Sequence, residues 1–388
     1  MTHQVREDEA AAILGIGTAL PAGRLDQSVV LQSLSEALQD RPEVFRWARR
    51  IFRQCGVETR YTCEPRLLPH DGGNPYLSMM DGSKVPTTRE RMEIYRREAL
   101  PLAVRAARKA LADSGTEAAR ITHLLTVSCT GQYLPGLDAQ IVRELGLSAR
   151  TNRIPLQFLG CAAGLKAVSL SRQLSAADPS VRVLVVCVEL CTLHIQPSLD
   201  REDLFAASFF GDGASACVIG RPGREPAGRG LFRLDGDQSV LFPDSAEAMT
   251  WQVGDYGFDL YLSTHIPALL ARHLPEAVEH FMDGAASPGF WAIHPGGRGI
   301  VDALERLFGL TDEQTSHSRG ILRDYGNLSS ATILFVLEDI RLNLHGQGRG
   351  LAAGAALAFG PGLTAELVRL TYVPAEVPAA AEGEDAYV

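Results

Sequence analysis

The chain has 388 residues, 46% hydrophobic and 21% charged, with a formal net charge of −9. These proportions are ordinary for a globular chain, exclude bulk disorder and fibrous repeats, and at this length allow two or three domains or one large duplicated one. The acidic balance argues against an electrostatic grip on nucleic acid as the main activity.

In chain order, Ala12 to Gly17 reads as the first strand after a polar lead. The charged stretch from Leu31 to Arg53 reads as mostly helical, with a break at Pro42. Residues 61 to 90, rich in Pro, Gly and charge, read as a long surface excursion. Pro101 is expected to open a helix that runs through Ala112 and stops near Gly115. His123 to Cys129 is a buried strand, Ile154 to Leu159 a short apolar approach, and Cys161 to Leu174 a helix of small residues. Val181 to Cys191 is an almost continuous Val-rich run, the pattern of a strand covered on both faces. Ala214 to Gly220 and Gly230 to Leu234 are expected to pair as a hairpin that closes a first half. The second half follows the same plan: a helix over Asp259 to Ala277, a strand over Phe290 to Ile293, helices over Ile300 to Phe308 and Ser329 to Leu342, and a hairpin of Gly350 to Phe359 with Leu363 to Val373. Gly160-Cys161-Ala-Ala-Gly164 and Gly326-Asn327-Leu-Ser-Ser330 look like counterparts, each a Gly and a polar residue entering a small-residue helix. The fold class that follows is a duplicated α/β domain of layered helices and sheets, with halves at residues 1–228 and 229–373 and a loose tail over 374–388.

The N-terminus turns acidic where a signal peptide needs an apolar core, and the most apolar stretch, Leu351 to Phe359, falls short of the ~18 residues a membrane span requires. The expectation is a soluble, cytoplasmic protein. Seven cysteines, an odd count without export signals, point to free thiols rather than a disulfide framework.

Cys161 is the best candidate nucleophile. It follows a Gly that permits close backbone approach, and it begins a helix whose free N–H groups favour a thiolate. The plain alternative is a structural Cys at a tight helix–strand contact. His294 ends the apolar strand Trp291-Ala-Ile and precedes Pro295-Gly296-Gly297, a place where α/β sheets meet ligands; the alternative is a satisfied structural histidine. Asn327 stands ahead of Ser329 and Ser330, where it serves equally well as a helix N-cap. Cys187, Cys191 and His194 suggest a metal cluster at first sight, but their spacing fits no common zinc site and two of them lie in an apolar strand, so no metal is expected.

Taken together, Gly160-Cys161-Ala-Ala-Gly164, Trp291-Ala-Ile-His294-Pro-Gly-Gly297, Tyr325-Gly-Asn327-Leu-Ser-Ser330 and Ala358-Phe-Gly-Pro-Gly362, with Phe209-Phe-Gly-Asp-Gly-Ala214, resemble the type III polyketide synthases, chalcone synthase-like members of the thiolase-like superfamily. The likeness runs from about residue 10 to residue 373. It implies a thiolase-like fold layered α-β-α-β-α, a homodimer, and CoA thioesters as substrates with no permanently bound cofactor. Cys161 is then acylated from CoA, His294 holds it as thiolate, and His294 with Asn327 stabilises the enolate that malonyl-CoA leaves after losing CO₂. The same matching makes Phe210 a gate over the malonyl carboxylate, although an ordinary core Phe looks no different in sequence. Cys129, Thr130, Cys191, His194 and Ser329 become pocket positions, Leu134 a residue pushed into the partner's cavity, and Leu260 the site of a second gate that has lost its aromatic ring. Arg50 and Arg53, with Arg60 nearby, fall at or near CoA-contacting positions, or form a solvated helix face; Gly296 and Gly297 give the pantetheine arm close backbone approach.

Leu260 and the small Cys191 favour room for a long fatty acyl starter and alkylpyrone or alkylresorcinol products. The competing readings are malonyl-CoA or aromatic starters, a single-condensation β-ketoacyl synthase or acyltransferase of the same fold, and a catalytically inactive partner subunit.

Overall fold

The computed structural model describes residues 10–68, 85–196, 198–223 and 228–375. Thirteen strands and ten helices follow one another within them: β1 (Ala12–Ala19), β2 (Gly23–Asp26), α1 (Gln27–Ala37), α2 (Pro42–Gln54), β3 (Thr59–Thr62), α3 (Thr88–Ser114), β4 (His123–Ser128), α4 (Leu137–Leu145), β5 (Asn152–Gln157), α5 (Ala163–Ala177), β6 (Arg182–Leu190), α6 (Arg201–Phe209) and β7 (Asp212–Gly220), then β8 (Leu231–Leu241), β9 (Met249–Gly254), β10 (Gly257–Leu262), α7 (Ile266–Met282), β11 (Phe290–Ile293), α8 (Arg298–Phe308), α9 (Asp312–Tyr325), α10 (Thr332–Gly346), β12 (Ala352–Gly360) and β13 (Thr364–Val373).

Nine strands form one mixed sheet in the order β11-β12-β13-β8-β1-β7-β6-β4-β5. Its two halves meet only where Ala12 and Ile13 pair with Arg233 and Phe232, so the junction is narrow. The order β1-β7-β6-β4 of the first half is matched by β8-β13-β12-β11 of the second, with α3 answered by α7 and α5 by α10. The duplication expected from the sequence is therefore present.

Three cores account for the layers. Odd-numbered β6 residues such as Val183 and Val185 pack with α5, α10 and the inner faces of both sheet halves. Even-numbered ones such as Leu184 and Val186 pack against α3. Helix α7 and Val301 and Leu304 of α8 cover the outer face of the second half, against Trp291 and Ile293. The stacking is α-β-α-β-α, and β6, buried on both faces, needs apolar residues at nearly every position.

Several sequence expectations are corrected. The 214–220 and 230–234 segments are strands but form no hairpin, because β1 lies between them and pairs with both. Pro101 lies inside α3, not at its start; the helix begins at a capping box of Thr87 and Glu90 inside the supposed excursion. The proline is exposed, so the carbonyl it leaves free faces water and the helix continues. Asp259 to Leu262 belongs to strand β10, with Asp259 and Tyr261 exposed and Leu260 and Leu262 half-buried, and the helix starts only at Ile266. The rest of the excursion over 69–84, and the tail beyond 375, lie outside the described residues.

The counterpart of the Cys161 turn also shifts. A three-residue 3-10 turn, Gly160–Ala162, leads into the 15-residue α5, and an equal turn, Ser329–Ala331, leads into the 15-residue α10. Aligned on these helices, Cys161 matches Ser330 and Gly160 matches Ser329, both with positive φ (64° and 48°). Asn327 stands ahead of that turn.

Among the described residues no helix is long and apolar enough to cross a membrane.

Candidate active site

The two central helices start side by side. A Cβ on Gly164 would lie 2.1 Å from the Ser330 carbonyl oxygen, so only glycine permits this approach. The contact brings the Cys161 turn and the Asn327–Ser330 segment to the floor of one cavity of about 600 Å³. Cys161, His294, Asn327, Ser329 and Phe210 all line it.

Asn327 comes off the end of α9 through Gly326. Its Oδ1 accepts the Ser329 N–H at 2.8 Å, and its Nδ2 donates to the Gly296 carbonyl at 3.2 Å and stands 3.9 Å from Cys161 Sγ. The amide orientation is thus fixed by the backbone, with one N–H spent on the Gly296 carbonyl. Leu328 rather than Asn327 occupies the cap position of the Ser329–Ala331 turn, and Asn327, one residue earlier, accepts the first N–H of that turn. The Cys161 thiol donates to Ser329 Oγ at 3.6 Å. His294 directly follows β11, is 0% exposed, and neither ring nitrogen has a hydrogen-bond partner among the described residues. An unpaired buried imidazole is costly, by about 1–3 kcal/mol, and this one lines the cavity.

Burial governs the protonation of both groups. It pushes the Cys161 thiol up to about 11, against the lowering effect of the Ser329 and Asn327 contacts, and pushes His294 down to about 3. Burial thus favours the neutral form of each group taken singly. A neutral imidazole keeps one N–H that can be donated to an anion.

Cys129, Thr130, Cys191, Leu260, Gly296 and Gly297 also line the cavity. His194 does not; it lies behind the wall, its Nε2–H donating to the Thr130 carbonyl at 2.7 Å and its Nδ1 accepting the Phe258 N–H at 2.9 Å. With both nitrogens engaged it is a strut, neither pocket group nor metal ligand. Leu134 is 93% exposed and outside this chain's cavity. Arg50 and Arg53 are exposed on α2, whose Ile51 reaches the mouth, and neither touches the lining itself. Arg60 is buried rather than at the entrance.

Two residues, one in the cavity wall and one behind it, escape sequence reasoning. Trp251 on β9 reaches into the cavity, its indole N–H donating to the Cys129 carbonyl at 2.7 Å and its ring edge-on to His194 and Phe258. Glu189, at the end of β6, is wholly buried. It accepts hydrogen bonds from the Cys129 N–H at 3.1 Å, from Thr130 Oγ1 at 2.7 Å and from Ser330 Oγ, and burial raises its carboxyl above the usual range. A Glu inside an apolar run is the one sequence signal for it, because a buried carboxyl requires partners.

The family described as chalcone and stilbene synthases matches this chain in two parts, its N-terminal domain over residues 1–223 and its C-terminal domain over residues 234–374. Among solved structures, the chain is similar to the C-terminal type III polyketide synthase domain of Steely1, a type I/III hybrid from Dictyostelium, with a TM-score of 0.84 and 28% identity over 94% of this chain and 99% of that one. It is similar also to PKS-I from the brown alga Ectocarpus siliculosus, with a TM-score of 0.85 and 26% identity over 94% and 98% of the two chains.

Proposed function

Because this chain belongs to the chalcone and stilbene synthase family, we propose that it is a type III polyketide synthase that loads an acyl group from CoA onto Cys161 and extends it with malonyl-CoA. The observation that carries the reading is that a thiol, an imidazole whose nitrogens have no partner among the described residues and a carboxamide whose Nδ2 stands 3.9 Å from the sulfur all line one cavity.

In loading, Cys161 gives its proton to His294 as the sulfur attacks the acyl carbonyl, and CoA leaves as the thiol with that proton. Malonyl-CoA then breaks its bond to the carboxylate, CO₂ departs, and the electron pair remains as an enolate on the thioester. His294 and Asn327 donate N–H bonds to the enolate oxygen, each such donor typically worth ~3 kcal/mol. The enolate carbon attacks the acyl thioester, and the Cys161 thiolate leaves. Phe210 presents an apolar ring that keeps water from the carboxylate and so favours its loss. Asn serves here and Asp does not, since a carboxylate repels the developing anion.

The apolar wall of Cys129, Cys191, Met249, Leu260 and Leu262 supports an aliphatic starter, with alkylpyrone or alkylresorcinol products. Trp251 favours the second reading, a shorter starter, because it caps the same wall. The exposed Leu134 supports a homodimer in which this side chain is covered. The reading calls for CoA thioesters as substrates and no resident cofactor.

The test incubates the protein with malonyl-CoA and acyl-CoA starters of graded length, counting C₂ units by mass spectrometry. Iterated products from wild type and none from Cys161→Ala are expected, while Cys161→Gln retains decarboxylation. Full polyketide output from Cys161→Ala ends the proposal; one C₂ unit per starter returns the single-condensation alternative.

A further inference from the structure

We propose that Arg60 is a positioning residue for malonyl-CoA decarboxylation, holding the backbone joint that sets Phe210 and Asn327 against the cavity. The proposal rests on the functional reading above.

Phe210 and Asn327 come from distant segments and are joined by an isolated parallel bridge. The Asn327 N–H donates to the Phe209 carbonyl at 2.8 Å, and the Gly211 N–H to the Asn327 carbonyl at 3.1 Å. Two hydrogen bonds with no sheet on either side make a weak joint by themselves. Arg60, on β3 and 2% exposed, is wedged against it: Nη1 donates to the Phe210 carbonyl at 2.9 Å. Glycines flank both residues where the Arg60 stem passes. Cβ atoms on Gly211 and Gly326 would stand 3.2 and 3.4 Å from Arg60 Cβ, and 2.6 and 2.4 Å from the carbonyl oxygens of Tyr325 and Phe209. The three strands of chain are therefore as close as backbone allows.

A buried guanidinium is expensive, and a purely structural wedge is served as well by an apolar side chain of equal length. Among the described residues Arg60 is not held as half of an ion pair. Its nearest carboxylate influence, Asp212, spends its oxygens on the Cys63 N–H and on the N–H and hydroxyl of Thr192. Its Nε has no hydrogen-bond partner among the described residues. What the guanidinium does hold is the carbonyl of the gate residue, one peptide from the bridge to Asn327. A side chain in that place fixes the distance between the ring over the malonyl carboxylate and the amide facing the enolate oxygen.

The test uses the full chain with Arg60→Met, which keeps the stem and removes charge and donor, and Arg60→Lys, which keeps charge and one donor. Two half-reactions are measured separately: malonyl-CoA decarboxylation, and acyl transfer to Cys161 by intact mass. With Arg60→Met the kcat for decarboxylation is expected to fall about 10²-fold, as for an ångström-scale misplacement, with KM and the loading rate each changing less than about threefold. Arg60→Lys is expected to recover about tenfold of the loss, since a donor again reaches the carbonyl. Equal losses in both half-reactions, or undiminished decarboxylation, overturn the proposal. If circular dichroism shows Arg60→Met unfolded, the same comparison on Arg60→Lys decides: a selective loss in decarboxylation supports the role and a parallel loss refutes it. Wild-type protein that loads acyl groups without decarboxylating malonyl-CoA refutes the functional reading itself, a result distinct from any Arg60 effect.

Discussion

Gly160→Ala is a one-methyl probe of how the nucleophile is held. The new Cβ would lie 2.3 Å from Pro361 Cδ and 2.8 Å from Cγ, at a backbone φ of +64°. The left-handed backbone alone costs an L-residue about 1–2 kcal/mol. The contact is worse, because Pro361 is a closed ring within the turn between β12 and β13 and cannot swing aside. Restoring an ordinary 3.4 Å separation needs about 1 Å of movement, and the softer side is the turn that carries Cys161; such a displacement of a reacting group costs about 10²-fold in rate. The expected result is acyl loading slowed about 10²-fold, measured by quenched-flow and intact mass, with a melting temperature lower by a few degrees. Adding Pro361→Ala removes Cγ and Cδ, so the double variant is expected to recover most of the loading rate while keeping the φ penalty in stability. If the two substitutions simply add, the clash is not what positions Cys161, and the argument fails.

Trp251→Ala removes the cap on the wall, and the preferred starter is expected to lengthen in mass-spectrometric product analysis; an unchanged chain-length preference shows that Trp251 does not bound the cavity. With its thiol near 11, about one Cys161 in 10³ is a thiolate at pH 8, so iodoacetamide labelling is expected to rise roughly tenfold per pH unit from 7 to 9. A plateau below pH 8 shows instead that His294 already holds the proton. His294 has a folded value near 3 against an ordinary 6.5, so below pH 6.5 the unfolded chain takes up a proton that the folded chain refuses. Its contribution is a stability loss of about 1.4 kcal/mol per pH unit as pH falls from 6.5 towards 3. His294→Gln is expected to flatten the pH dependence of the urea midpoint by that slope. Asp212, raised to about 6 by burial, works in the opposite direction in both proteins and drops out of the difference.

The parts of the molecule legible in its sequence are those where one physical demand fixes residue type. Strand β6 is apolar at nearly every position because it is covered twice, and Cys161, His294 and Asn327 stand at element ends beside glycines, where a site can be built. Long-range pairing was not legible: nothing in residues 214–234 announces that β1 enters between two strands that follow each other in sequence. Trp251 carries no signal in sequence because β9 pairs only with β10 in a small two-stranded sheet apart from the main one, and the end of β10 is absorbed into the helix expected from Asp259. The four-residue β3 hid Arg60, whose charge reads as surface until its neighbours are known. For Cys161 and His294 the sequence offers the two groups, but how far burial shifts each one depends on how much water is excluded, which composition does not record.

The shared middle layer has a consequence for how the chain must assemble. Helices α5 and α10 each bury one side against their own sheet half and the other against the opposite one, so neither half has a finished interior before the other arrives. Severed between β7 and β8, the two fragments would each expose an oily helix and are expected to dissolve only together, as a complemented pair. The reaction centre then comes into existence at docking, with the sulfur delivered by one fragment and the nitrogen groups by the other.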